Sequence, residues 1–192
     1  MNQQAKIATI RITTAAIFMA LNIAFSSFGI PVPGGHLYLC DVIICAAAIL
    51  LNPLEAFVVG GIGSFLGDFF FYPAPMFVSL VTHGIQAVVI SVMAHYVLKK
   101  HPKISSGIGV AIGVIILVIG YTFGRTFIYG ARSFEVALVK LPYEIAQGVI
   151  GAVGGMVIVW VLGINKLFKK FVVYNDNFTN NKVSSESKDS DK

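Results

Sequence analysis

The chain has 192 residues, of which 56% are hydrophobic and only 12% charged, with a formal net charge of +5 and a mean hydropathy of +0.81. Soluble domains carry about 25% charged residues, so this composition excludes an ordinary cytosolic enzyme and a disordered protein and places the chain in the membrane class. The basic residues lie between apolar runs rather than on one amphipathic face, which makes them topology signals and argues against a nucleic-acid partner.

Six apolar runs are predicted as membrane spans: Ile12–Phe28, Leu39–Leu51, Leu54–Phe71, Met76–Leu98, Ile108–Ile128 and Leu141–Leu162. A helix needs about 20 apolar residues to cross the hydrocarbon core, so the second run, ended by Asn52-Pro53, is shorter than a bilayer. Helices are expected because lipid offers no partner for open backbone groups. The runs do not alternate as the strands of an outer-membrane barrel do. The first run is not read as a signal peptide, since Asn22 interrupts it and five more runs follow. The expected fold class is therefore an all-α integral membrane protein of six transmembrane helices. Its domains are a six-helix membrane domain over 1–171 and a disordered cytoplasmic tail over 172–192, where Asn, Ser, Lys and Asp dominate.

With six crossings, Lys6, Arg11, Lys99, Lys100, Lys103, Lys166, Lys169 and Lys170 fall on one side, against Arg125, Arg132 and Lys140 on the other. The positive-inside rule puts the first side, and both termini, in the cytoplasm of a multi-pass cell-membrane protein.

Polar residues inside a membrane are costly and need a reason. In the predicted topology Asp68 ends span three, and His83, seven residues past Met76, lies roughly 10 Å deep in span four. Gln86 follows on the same face. Tyr121, Arg125 and Tyr129 recur every four residues in span five, and Glu144 and Gln147 share a face of span six. Thr82 and Asn22 join this outer level, as do Tyr38, Asp41 and Tyr72 from the joining segments. The pattern predicts an outward-facing polar pocket closed at its bottom, because a proton or ion pathway needs polar groups through the full thickness. The candidate substrate-binding residues are Tyr38, Asp41, Asp68, Tyr72, His83, Gln86, Arg125, Tyr129, Glu144 and Gln147. Tyr72 and Tyr129 equally suit an aromatic belt, and the alternative for Arg125 and Glu144 is to snorkel or to pair with each other.

Small residues recur at four-residue spacing in Gly63-xxx-Gly67, Gly109-xxx-Gly113, Gly120-xxx-Gly124 and Gly151-xxx-Gly155, as expected of helices packing closely in lipid. Ala16, Ala20 and Ala24 make a similar stripe on the first span, where either internal packing or docking of another membrane protein is open. The glycine-rich stretches lack GK[ST] and a strand–loop–helix setting, so no phosphate loop is expected. His36, Cys40, Asp41 and Cys45 match no standard zinc spacing, and Ser64 has no acid–base pair around it in sequence. Neither a metal nor a catalytic residue is expected.

These residues together resemble the substrate-binding S components of energy-coupling factor (ECF) vitamin transporters. The resemblance rests on six short spans with basic cytoplasmic ends, the Ala16-xxx-Ala20-xxx-Ala24 stripe, the extended segment Ile30–Asp41, and Asn52-Pro53-Leu54-Glu55-Ala56 leading to Gly60-Gly61-Ile62-Gly63-Ser64-Phe65-Leu66-Gly67-Asp68. It covers residues 7–170 and implies a subunit that binds a vitamin or precursor near its extracellular face. It further implies a transmembrane coupling (T) subunit, docked on the alanine stripe, and two cytoplasmic ATPases that use the ATP, with no cofactor in this chain. The mixed donors and acceptors, with no tryptophan among them, suit a small pyrimidine or pyridine, resembling the hydroxymethylpyrimidine or pyridoxine members. Pantothenate is next, through Arg125, then folate and riboflavin. The competing readings are a stand-alone secondary transporter or channel and a membrane scaffold.

Overall fold

The first helix starts well before its apolar run. In the computed structural model, which describes residues 3–129 and 133–167, α1 spans Gln3–Ser26. Gln3, Gln4, Ala5 and Lys6 are good helix formers, so the helix continues past the residues that hydropathy selects. Arg132, Lys169, Lys170 and the tail over 172–192 lie outside the described residues.

The extended segment after α1 is a hairpin, the one departure from helix among the described elements. Strands β1 (Gly29–Val32) and β2 (Gly35–Tyr38) pair antiparallel, from Gly29 opposite Tyr38 to Val32 opposite Gly35. Pro33 and Gly34 make the turn, in the Pro–Gly order of a type II turn. Gly34 has φ of 81°, and a Cβ there would also sit 3.2 Å from Lys140 Cβ.

Helix α2 spans only Cys40–Leu50 and is buried on nearly every side, which explains a run without an amphipathic stripe. Asn52 caps the next helix. Its side chain accepts from Glu55 N at 2.9 Å, and the Glu55 carboxylate accepts in return from Asn52 N. Helix α3 covers Pro53–Phe71 with a π-turn at Val58–Ile62. Next come α4, Met76–Val97, α5, Pro102–Phe127, and α6, Phe134–Val161, with π-turns closing α4 and α6. Five helices among the described residues, α1 and α3 to α6, are long and apolar enough to cross a membrane. Their large apolar side chains, such as Ile12, Phe77, Ile115 and Val153, face outward, as lipid-facing positions do.

The glycine pairs lie at helix contacts. Gly63 and Gly67 meet Asn22 and Ser26 of α1, Gly109 and Gly113 meet Met93 and Ile90 of α4, and Gly120 and Gly124 meet Thr82 and Val78. Gly151 and Gly155 press on Asp41 and Cys45 of α2. At each position a Cβ would collide with the partner, so these pairs set helix separation.

Asn22 does not join the polar pocket. It is fully buried, and its Nδ2 donates to Val59 O in the α3 π-turn at 2.7 Å and to Ser64 Oγ at 3.2 Å. It therefore serves to bind α1 to α3. At the same helices' other ends Arg11 Nε donates to Glu55 Oε1 at 2.8 Å.

Candidate binding site at the hairpin end of the bundle

A cavity of about 30 Å³ opens at the hairpin end. Tyr38, Asp68, Tyr72, Arg125, Tyr129, Glu144 and Gln147, seven of the ten residues expected from sequence, line it together with His36, Pro75, Tyr121 and Lys140. Its wall thus comes from β2, α3, the α3–α4 connection, α5, the residue run after α5, and α6. These segments are distant in sequence and converge only through helix packing.

The hairpin is held over this cavity by side chains of its wall. Arg125 Nη1 donates to Gly34 O at 2.7 Å. Lys140 Nζ donates to His36 O. Gln147 Oε1 accepts from Tyr38 N at 3.0 Å. Gly35, the residue after Gly34, has φ of 149°, a backbone conformation that residues with a side chain rarely adopt.

Arg125 and Glu144 do pair, with Nη2 and Oε1 3.6 Å apart. The guanidinium also sits 5.2 Å from the Tyr129 ring centre, and Thr122 Oγ1 reaches the other Glu144 oxygen at 3.5 Å. The pair leaves polar capacity unused. Arg125 Nε, Glu144 Oε1, Tyr129 OH and His36 Nδ1 are all buried and have no hydrogen-bond partner among the described residues. Buried polar atoms are normally paired, and each exception needs an explanation. Here four such atoms belong to residues that line one cavity.

Across the cavity, Asp68 accepts from Ser79 Oγ. Ser79 has one hydroxyl proton, so the 2.5 Å contact between its oxygen and Tyr121 OH is donated by the tyrosine. Burial raises the Tyr38 and Tyr129 phenols above their usual range, keeping both hydroxyls as proton donors. His36 stands edge-on to Tyr72 with ring centres 5.5 Å apart.

The remaining three expected residues are not on the wall. Asp41, His83 and Gln86 form a buried group beneath it. Gln147 Nε2 donates to Asp41 Oδ2 at 2.7 Å, and Gln86 Nε2 to Asp41 Oδ1 at 3.4 Å. His83 Nδ1 lies 2.8 Å from Gln86 Oε1 and 3.6 Å from Asp41 Oδ1. Their shared depth is what sequence spacing reports; whether a side chain points to the cavity or to a neighbouring helix depends on helix rotation.

Lys140 is the main residue that sequence reasoning passes over, because its charge reads as a topology signal. Another signal was present: Lys140, Glu144 and Gln147 follow i, i+4, i+7 spacing on one helical face. Among the described residues no group of three His, Cys, Asp or Glu side chains is arranged to hold a metal.

Ala16, Ala20 and Ala24 lie exposed on α1. They are turned away from the bundle, opposite the buried Asn22 and Ser26 that contact α3.

Bundled apolar helices with a polar cavity at one end define a multi-pass membrane protein that binds a small molecule. A family model described as the ECF-type riboflavin transporter S component matches residues 6–163. A Pyrococcus woesei protein known only as an uncharacterized protein in gap 3'region is 30% identical over 128 residues, covering 66% of this chain and 82% of that protein. A UPF0397 protein of Clostridium perfringens is 27% identical over 153 residues, covering 78% of this chain and 80% of its own length, and the counterpart in another strain is 26% identical over the same shares. The chain belongs to the family of ECF-type transporter S components described for riboflavin. It is thus a substrate-binding subunit of a vitamin transporter in the plasma membrane, working with coupling and ATPase subunits, and not an enzyme.

Proposed function

We propose that the substrate is a small nitrogen heterocycle of the hydroxymethylpyrimidine or pyridoxine type, taken up in the cavity beneath the hairpin. The observation that carries this reading is that four residues lining that cavity, Arg125, Glu144, Tyr129 and His36, each hold a buried polar atom with no hydrogen-bond partner among the described residues. Glu144 offers an acceptor for an amino or hydroxyl group; Arg125 and Tyr129 offer donors for a ring nitrogen or oxygen. Tyr38, Tyr72 and Tyr121 supply aromatic walls, and Asp68 a second acceptor. Asp41, His83 and Gln86 support the wall from below. A cavity of about 30 Å³ has room for one or two water molecules, so a single ring asks for the least opening.

In this reading all six apolar helices span the membrane, the short α2 doing so within a ring of longer neighbours. The basic residues Lys99, Lys100, Lys103 and Lys166 face the cytoplasm with both termini, and the hairpin faces outward. The exposed Ala16, Ala20 and Ala24 form the docking face for the coupling subunit, which with two ATPases drives delivery inward.

Riboflavin is the second reading, favoured by the description of the family model. Mass spectrometry of small molecules released by denaturing the detergent-purified protein separates the two, followed by a thermal-shift panel of hydroxymethylpyrimidine, pyridoxine, pantothenate, folate and riboflavin. A stoichiometric pyrimidine or pyridine supports the first reading. Riboflavin, or stabilisation by riboflavin alone, replaces it with the second.

A further inference from the structure

We propose that Asp41 is a positioning residue whose buried carboxylate orients the Gln147 and Gln86 amides, and through them fixes both the seat of the hairpin and the tautomer of His83. Its consequence for substrate retention rests on the function proposed above; the orientation itself does not.

The argument starts from a group whose polarity is not in question. Tyr38 N–H is a donor, so the Gln147 atom 3.0 Å away is the amide oxygen. An amide carries its oxygen and its NH2 on opposite sides. Gln147 Nε2 therefore points down, where it meets Asp41 Oδ2 at 2.7 Å. An ionised carboxylate accepts at both oxygens and donates at neither. The second oxygen takes Gln86 Nε2 at 3.4 Å. That leaves Gln86 Oε1, an acceptor, facing His83 Nδ1 at 2.8 Å, so His83 carries a proton on Nδ1. The reverse arrangement would set Gln86 Oε1 against the Asp41 carboxylate, two acceptors facing each other where both side chains are fully buried.

The backbone makes room for this. Asp41 is the second residue of α2, and Gly151, one turn beyond Gln147 on α6, would collide with Asp41 Cβ if it had a side chain. The approach that glycine permits brings the Gln147 amide onto the carboxylate.

A neutral amide in place of Asp41 cannot satisfy both neighbours. The side chain introduced by Asp41→Asn presents one oxygen and one NH2. If its NH2 faces Gln147, the Gln147 amide turns over and sets its own NH2 against Tyr38 N–H, and the hairpin loses a hydrogen bond. If its NH2 faces Gln86, the Gln86 amide turns over instead, and His83 must accept at Nδ1, moving its proton to Nε2.

The test uses the full chain in lipid nanodiscs without added vitamin. Hydrogen exchange is followed across residues 35–39, and the 15N shifts of the histidine rings report the His83 tautomer. The wild-type chain is expected to show a proton on His83 Nδ1; a proton on Nε2 alone overturns the proposal without any variant. Asp41→Asn is expected either to speed exchange at the hairpin about tenfold, the loss of one buried hydrogen bond, or to move the His83 proton. If neither changes, the proposal is overturned. The double variant Asp41→Asn/Gln147→Glu moves the carboxylate from α2 to α6. The relocated carboxylate accepts from Tyr38 N–H and from the new amide on α2, and the oxygen of that amide still accepts from Gln86. This double variant is expected to restore both wild-type signals, and failure to restore them overturns the proposal even where the single variant does not fold. Neither readout needs a substrate, so an unresponsive vitamin panel counts against the proposed function and leaves this result standing.

Discussion

Arg125 and Glu144 approach to 3.6 Å, yet the Arg125 Nε and Glu144 Oε1 atoms, both buried, have no hydrogen-bond partner among the described residues. A pair built only to neutralise its own charges would be expected to use these atoms, because breaking or under-satisfying a buried ion pair is expensive. Arg125 instead commits one nitrogen to Gly34 O of the hairpin. The pair thus joins the hairpin, the cavity and two helices.

Glu144→Gln removes the charge while keeping the shape. In the proposed site it loses an acceptor for the substrate's amino or hydroxyl group and leaves the Arg125 guanidinium less well matched. A charge-assisted hydrogen bond contributes about 1.5–3 kcal/mol, so substrate affinity is expected to fall by roughly one to two orders of magnitude. Calorimetric titration with the vitamin released from the wild-type protein checks this. Unchanged affinity would remove Glu144 from the binding site.

Lys140→Met keeps an unbranched side chain one atom shorter and removes the hydrogen bond to His36 O. Among the described residues, the side-chain bonds from Arg125 and Gln147 then remain to hold the hairpin. Substrate dissociation is expected to accelerate about tenfold, the loss of one bond from a charged donor, with little change in association. Stopped-flow displacement of bound substrate measures both rates.

Gly151→Val places branched carbons where Asp41 already sits. Overpacking of this kind costs typically about 1–3 kcal/mol, so the melting temperature in detergent is expected to drop by several degrees. Gly107→Ala is the control, since its Cβ would meet only Met156 Cε at 3.9 Å. Equal stability of the two variants would show that the close approach of α2 and α6 does not depend on glycine.

Leucine at Ala16, Ala20 and Ala24 adds bulk to an exposed face of α1. Substrate binding by the isolated subunit is expected to stay at the wild-type level while co-purification with the coupling subunit and vitamin uptake by cells are lost. Retained uptake would place the docking face elsewhere.

Much of this protein is legible in one dimension. Long apolar runs that do not alternate, separated by basic clusters, point to helices in lipid, because only helices and closed barrels satisfy the backbone there. The Asn52-Pro53-Leu54-Glu55 capping box and the Pro33-Gly34 turn are local, decided within four residues. Polar residues at one depth point to a candidate site, and seven of the ten expected residues line one cavity. Tertiary structure decided the rest. Asp41, His83 and Gln86 share that depth but turn toward one another, because side-chain direction follows the rotation of each helix, which packing sets. Asn22 went to Val59 O in a π-turn, a carbonyl whose availability no spacing announces. Lys140 became part of the cavity because Gly34 lets the hairpin descend onto α6. Spacing along a chain conveys depth in a membrane; which atoms meet is settled only when neighbouring helices and the hairpin compete for the same hydrogen bonds.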